Sequence, residues 1–160
     1  MPLVIFVGLQ ASGKSTFFKL HFDPTQPYIS KDAMSGSGKE QRLQRRVRAY
    51  LEEGRSVVVD NTHPTPMCRQ ALIELGRAYG APVWGVYFET SLEDALKRNA
   101  LRSGRQRVPE KIMITQHRRM IPPQKREGFD RIFLVSMKEP FGFTIQELDP
   151  AIDSADRQIV

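Results

Sequence analysis

Gly8-Leu9-Gln10-Ala11-Ser12-Gly13-Lys14-Ser15 fits G-x-x-x-x-G-K-[ST], a spacing built to hold phosphate. The glycines let the backbone curl so that its N–H groups converge on an anion, and the start of a helix adds positive potential there. Lys14 is placed to reach the β- and γ-phosphates of a nucleotide, and the Ser15 hydroxyl to ligate Mg²⁺, with Gly8, Gln10, Ala11, Ser12, Gly13 and Thr16 completing the cradle. Two carboxylates extend the chemistry. Asp60 closes the apolar run Ser56-Val57-Val58-Val59, the form of a Walker B element that helps hold Mg²⁺. Asp32 follows the short apolar piece Tyr28-Ile29 at Ser30-Lys31. A carboxylate there can accept the proton of an alcohol in line with a γ-phosphate held by Lys14, which separates a kinase from a plain nucleotide hydrolase. The alternative role for Asp32 is to cap the segment that follows.

The elements that must position these groups alternate strand and helix. That pattern implies an α/β fold with a parallel sheet covered on both faces. Leu3 to Val7 is an uninterrupted apolar run, read as a strand buried on both sides, and a helix continues from Ser15. After Ser35-Gly36-Ser37-Gly38 a helix runs to Leu51, with Leu43, Val47, Tyr50 and Leu51 inward. Arg42, Arg45, Arg46 and Arg48 lie mainly on its other faces, as a solvated surface or as one wall of a polyanion groove. Asn61-Thr62-His63-Pro64 forms the loop after the third strand; His63 is read as a surface-loop histidine with a possible substrate contact. A helix from Pro66 presents Ala71, Leu72, Leu75, Ala78 and Tyr79 to the core and stops at Gly80. Val83 to Phe88 is the fourth strand. The helix capped by Ser91 and Asp94 carries Leu92, Leu96 and Leu101 inward. Lys97, Arg98, Arg102, Arg105 and Arg107, broken by Ser103-Gly104, fit either a basic lid closing over phosphates or a solvated helix end. Pro109 restarts a helix to about Met120, and Arg131 to Val135 is the fifth strand. The expected sheet is five-stranded; the order 2-3-1-4-5 and an Arg-rich lid are what its resemblance to the P-loop kinase fold implies. In such sheets ligands bind beyond the carboxyl ends of the strands, which brings the phosphate loop, Asp32 and Asp60-Asn61 to one edge.

Composition bounds the rest. At 160 residues the chain fits one domain, expected over 1–148, with a polar, fraying tail at 149–160. A net charge of +6 and a pI near 9.7 favour a polyanionic partner. Cys68 is the lone cysteine, so no intrachain disulfide or cysteine metal cluster forms. The five-residue apolar run near the N-terminus is too short for a signal peptide, and no stretch approaches the ~20 apolar residues of a membrane span. A reduced, cytoplasmic setting away from membranes is the expectation. The oligomeric state is left open.

Taken together, the phosphate loop, Ser30-Lys31-Asp32, Val59-Asp60-Asn61-Thr62-His63-Pro64, and Lys97-Arg98-Asn99 with Arg102 resemble the kinase module of the polynucleotide 5′-hydroxyl kinases. The resemblance spans about residues 3 to 135. Its most specific part is the Asp-Asn-Thr-x-Pro loop, with Val108-Pro109 and Glu127-Gly128-Phe129 agreeing further on. It implies that Lys14 and Ser15 hold ATP and Mg²⁺ and that Asp32 is the general base. It also implies that Arg98 and Arg102 reach the ATP phosphates from the lid, and that the Asp60-Asn61 corner shapes the metal and acceptor side. The acceptor would be a 5′-hydroxyl nucleic-acid end. This chain departs from the family at two positions: Lys31 stands where arginine usually precedes the base, and Ser35 stands where the phage enzyme has an acceptor-binding arginine. Lys31, Lys39, Arg42, Asn61 and His63 are the candidate acceptor contacts. The phosphatase domain fused to many relatives has no counterpart here, so 3′-end processing is not expected. Two other functions fit the same motifs: a kinase of a small-molecule hydroxyl (nucleoside, sugar or antibiotic), and a nucleotide-gated binding module.

Overall fold

The computed structural model describes residues 1–138, 140 and 142–148. The expected tail at 149–160 lies outside them. In chain order the elements are β1 (Leu3–Val7), α1 (Lys14–His21), β2 (Tyr28–Ser30), α2 (Lys39–Glu52), β3 (Val57–Asp60), α3 (Pro66–Ala78), β4 (Val83–Phe88), α4 (Leu92–Ala100), α5 (Glu110–Arg119), β5 (Arg131–Met137) and β6 (Phe143–Glu147). One sheet holds all six strands in the order β2-β3-β1-β4-β5-β6. The first five are parallel, in the expected order; β6 is antiparallel to β5.

The β-branched runs of β1 and β3 are buried because each strand has packing on both faces. Side chains alternate between the two. Leu3, Ile5 and Val7 join α2, α3, α4 and α5 through Leu43, Val47, Leu72, Ile73, Ala95 and Met113. Val4 and Phe6 face the other way, onto Phe17 of α1 with Val58, Phe88 and Val135. There the rings of Phe6, Phe17 and Phe88 meet edge-on, their centroids 4.9 to 6.1 Å apart. Among the described residues, no helix is long and apolar enough to cross a membrane.

Three sequence readings are corrected. The sheet has a sixth strand, Phe143–Glu147, where five are expected. Most of β6 is exposed, and its alternation is only Phe143 and Ile145 long; it is held by ladder bonds and by a two-pronged Arg131–Glu147 pair, both contacts 2.7 Å. Leu101 does not face inward: it lies beyond α4 and is 87% exposed, while Ala95 and Asn99 fill the buried stripe. On α3 the buried face is Arg69, Leu72, Ile73 and Gly76, leaving Ala71, Ala78 and Tyr79 exposed. That stripe keeps i, i+3, i+4, i+7 spacing, but an arginine and a glycine disguise it.

Candidate functional site

The sheet register builds the site. Asp60 pairs laterally with Phe6 on one side and Ser30 on the other, so three strands end in line. Two residues past Phe6 the phosphate loop begins at Gly8; two past Ser30 lies Asp32, in a 3₁₀ turn over Lys31–Ala33. Glycine is required at two places in the loop. A Cβ on Gly8 would lie 2.8 Å from Cβ of Phe88, and Gly13 sits at φ +93° as the N-cap of α1. Ala11 also adopts a left-handed φ of 60°, and its carbonyl accepts from Arg98 Nε at 2.7 Å.

Lys14, the first residue of α1, is half-buried and donates to the carbonyls of its own loop, Gly8 at 2.9 Å and Leu9 at 2.7 Å. Burial lowers its pKa, while Asp60 and Asp32 pull it up and Arg102 pushes it down. Lys14, Asp60, Asp32 and Arg102 therefore share one electrostatic neighbourhood. Asp60 Oδ2 accepts from the Tyr28 hydroxyl, and burial, reinforced by Asp60, raises the Tyr28 pKa so that the phenol stays a donor. Asp60 Oδ1 and Ser12 Oγ are buried without a hydrogen-bond partner. The orphaned Asp60 carboxylate oxygen fits a divalent cation, and the Ser12 hydroxyl can donate to a phosphate oxygen. Among the described residues no three His, Cys, Asp or Glu side chains gather as a metal cage.

Arg98 is built into the loop: besides Ala11 it donates to Thr90 Oγ1 at 2.6 Å. Among the described residues Arg102 is tied only to the Gln106 carbonyl, at 3.3 Å. The basic turn between them and α5 is pinned by Asn99, which donates to the Val108 carbonyl and accepts from its N–H at 2.7 and 2.9 Å. Asn99 thus stands in for a strand partner, a role no motif announces.

Beside the loop opens a cavity of about 570 Å³. Asp32 and Lys31 form its β2 wall, Lys39, Glu40 and Gln44 its α2 wall, and Asn61 to Pro64 its β3 wall; Gln116 and Arg119 of α5 stand opposite. Lys31 is paired with Glu40 at 3.0 Å. Lys39 and Arg119 have no partner among the described residues, and the side-chain oxygens of Gln10 and Gln116, both on the lining, are buried and unpaired. Arg42 does not line the cavity; it folds back onto the Ser35 carbonyl.

His63 is corrected. It is not a surface histidine but 3% exposed, held at φ 46° with Nδ1 2.7 Å from the Phe6 carbonyl. A carbonyl only accepts, so Nδ1 carries the proton. Burial lowers the His63 pKa to about 4, and the ring is neutral at pH 7. Sequence reasoning missed Arg69 entirely. Its guanidinium, 0% exposed, grips Glu127 through Nε (2.8 Å) and Nη2 (3.0 Å), while Nη1 donates to the carbonyls of His63 (2.9 Å) and Ile121 (3.0 Å). The Glu127-Gly128-Phe129 agreement was the available signal.

A family model described as an AAA domain matches residues 3–123. The chain is 28% identical over 141 residues to a bifunctional polynucleotide phosphatase/kinase of Schizosaccharomyces pombe, covering 85% of this chain and 34% of that protein. It therefore spans about a third of the length of that curated relative. Among solved structures it is similar to a gluconokinase from Sinorhizobium meliloti 1021 (20% identity, TM-score 0.58, covering 87% of this chain and 84% of that one). It is also similar to Chaetomium thermophilum Kti12 in complex with ADP-AlF3 (17% identity, TM-score 0.61, 84% and 89%). These likenesses establish the P-loop kinase fold.

Proposed function

The chain belongs to the AAA domain family, and from that premise we propose that it is an ATP-dependent kinase that phosphorylates the 5′-hydroxyl end of a nucleic acid. One observation carries the reading. Asp32 stands on the wall of a polar cavity and is close enough to Lys14 to bias its ionisation. A base for an alcohol, on the cavity wall, thus shares one electrostatic neighbourhood with a cation for a γ-phosphate. Residues 1–148 form the kinase domain in this reading.

Lys14 exchanges its loop carbonyls for the β- and γ-phosphate oxygens of ATP, with the α1 N-terminus and the loop N–H groups around them. Ser15 and Asp60 would hold Mg²⁺. When bound, Mg²⁺ neutralises charge on the β- and γ-phosphates. Asp32 accepts the hydroxyl proton as the acceptor oxygen bonds to the γ-phosphorus and the bond to ADP breaks. Arg98, fixed against Ala11, and Arg102, less tied, stabilise the oxygens of the transferring group.

On the acceptor side, Lys39 and Arg119 are the lining cations left unneutralised among the described residues. With the unpaired amides of Gln10 and Gln116 they fit an acceptor that carries an anion and a hydrogen-bonding edge, as a terminal nucleotide does. Lys31, Asn61 and His63 complete its walls. The 28% identity to the yeast phosphatase/kinase supports the same acceptor. A second reading, a kinase of a small-molecule hydroxyl, rests on the cavity itself: 570 Å³ encloses a single small ligand.

The test is transfer from γ-labelled ATP with Mg²⁺ to a panel of 5′-hydroxyl oligonucleotides, nucleosides and sugars. Label on oligonucleotide ends is the expected result; label confined to a sugar or nucleoside would replace the reading with the second. Asp32→Ala should cut transfer by about 10²–10⁴-fold and leave ATP affinity nearly unchanged. Unchanged turnover would remove Asp32 from the mechanism.

A further inference from the structure

Arg69 is the one charged side chain among the described residues that is fully withdrawn from solvent, and it reaches no reacting group. It lies behind the acceptor cavity, on the helix whose Met67, Cys68 and Ala71 face into it. Four of its N–H groups are spoken for by three separate segments. Two meet the carboxylate of Glu127, one the His63 carbonyl in the β3–α3 loop, and one the Ile121 carbonyl just past α5. Those segments also hold each other: Ile121 N–H donates to the Pro64 carbonyl at 2.7 Å, and Glu127 Oε2 accepts from the Gln124 N–H at 2.7 Å.

The carbonyls that Arg69 grips belong to, or directly follow, cavity walls. His63 and Pro64 form one wall; Gln116 and Arg119, at the end of α5 two residues before Ile121, form the facing one. The His63 backbone sits in the left-handed region, which a β-carbon disfavours, so this loop shape needs outside support. We infer that Arg69, locked by Glu127, is a positioning residue that sets the spacing of the two acceptor walls, and with it the affinity for the acceptor but not for the nucleotide. The inference rests on the kinase reading above and deepens its acceptor side. A lysine cannot substitute: its single ammonium cannot span a carboxylate and two carbonyls that the planar five-donor fork reaches together.

The experiment compares wild type with Arg69→Lys, which keeps the buried charge opposite Glu127, and with the milder Glu127→Gln. Steady-state transfer should show the acceptor KM raised about tenfold or more in Arg69→Lys and by less in Glu127→Gln, with the ATP KM within twofold of wild type. Hydrogen exchange should quicken at residues 61–63, 65 and 119–121, and at Gly8, whose N–H donates to the Thr62 carbonyl, and stay unchanged over residues 10–15 of the phosphate loop. An Arg69→Lys protein that melts earlier while both KM values hold at 20 °C would overturn the proposal, reducing Arg69 to a stabilising core group. Parallel changes in both KM values would overturn it too. The kinase reading fails separately. If wild type labels only a small molecule, the nucleic-acid acceptor falls, but a selective rise in that molecule's KM still supports Arg69. If wild type labels nothing, exchange decides: quickening confined to the two walls and Gly8 supports the inference, and uniform or absent change overturns it.

Discussion

His63 shows how a single residue couples the site to pH. Its ring is buried, neutral and committed through Nδ1–H to the Phe6 carbonyl of the central strand. The folded-state pKa, lowered by burial to about 4, lies below the ordinary value of 6.5. Below pH 6.5 the unfolded chain therefore binds a proton that the folded chain refuses. The stability this group contributes is whole above pH 6.5 and is lost as pH falls through the folded value near 4, by about 3 kcal/mol in total. Urea unfolding from pH 7 to pH 4 should show that loss. His63→Asn, which tolerates a left-handed φ and offers an amide N–H to Phe6, should flatten it; an equal slope in both proteins would assign the acid sensitivity elsewhere. None of this was legible locally, because Asn-Thr-His-Pro reads as an exposed loop until the sheet above it closes.

At the scale of elements, α3 depends on a glycine. Gly76 lies within the helix on its buried face, where a Cβ would stand 2.5 Å from Cγ2 of Val83. Alanine there raises helix propensity by about 1 kcal/mol but drives a methyl into a β-branched side chain held in β4. Overpacking wins at that distance. Gly76→Ala should lower stability by about 1–3 kcal/mol in chemical denaturation, and a neutral or stabilising effect would mean that α3 can slide away from the sheet at little cost. The sequence places α3 correctly from Pro66, but its inward face is misread because Arg69 and Gly76 interrupt the apolar pattern. The helices and parallel strands that carry long apolar runs are legible; β6 is not, since an exposed edge strand owes its existence to a partner rather than to its own composition.

For the whole molecule, charge makes the sharpest statement. A net charge of +6 and two unpaired cations on the cavity lining favour an acceptor with several phosphates over a neutral one. If about three phosphates of a single strand are contacted, raising salt from roughly 50 to 200 mM should weaken oligonucleotide binding by more than about tenfold. A salt-insensitive acceptor KM would favour the small-molecule reading. The same basic balance was visible in composition, but composition did not say which cations remain free: Lys31 is spent on Glu40, Arg42 on Ser35, Arg98 on the phosphate loop and Arg69 on Glu127.

The division between sequence and tertiary structure follows the range of the interactions. The phosphate loop, the strand that precedes it and Asp60 at the tip of its own apolar run were determined by the sequence, because each is a requirement on neighbouring residues. Backbone curvature needs glycine, and two-sided burial needs uninterrupted β-branched side chains. The cavity beside the phosphate loop was decided by the tertiary structure alone. Its walls come from segments as distant as Gln10 and Arg119, and the arginine behind them finds its carboxylate 58 residues along the chain. No local pattern records a hydrogen bond of that reach. It exists because burying a guanidinium demands partners for every donor, and only the folded chain brings them together.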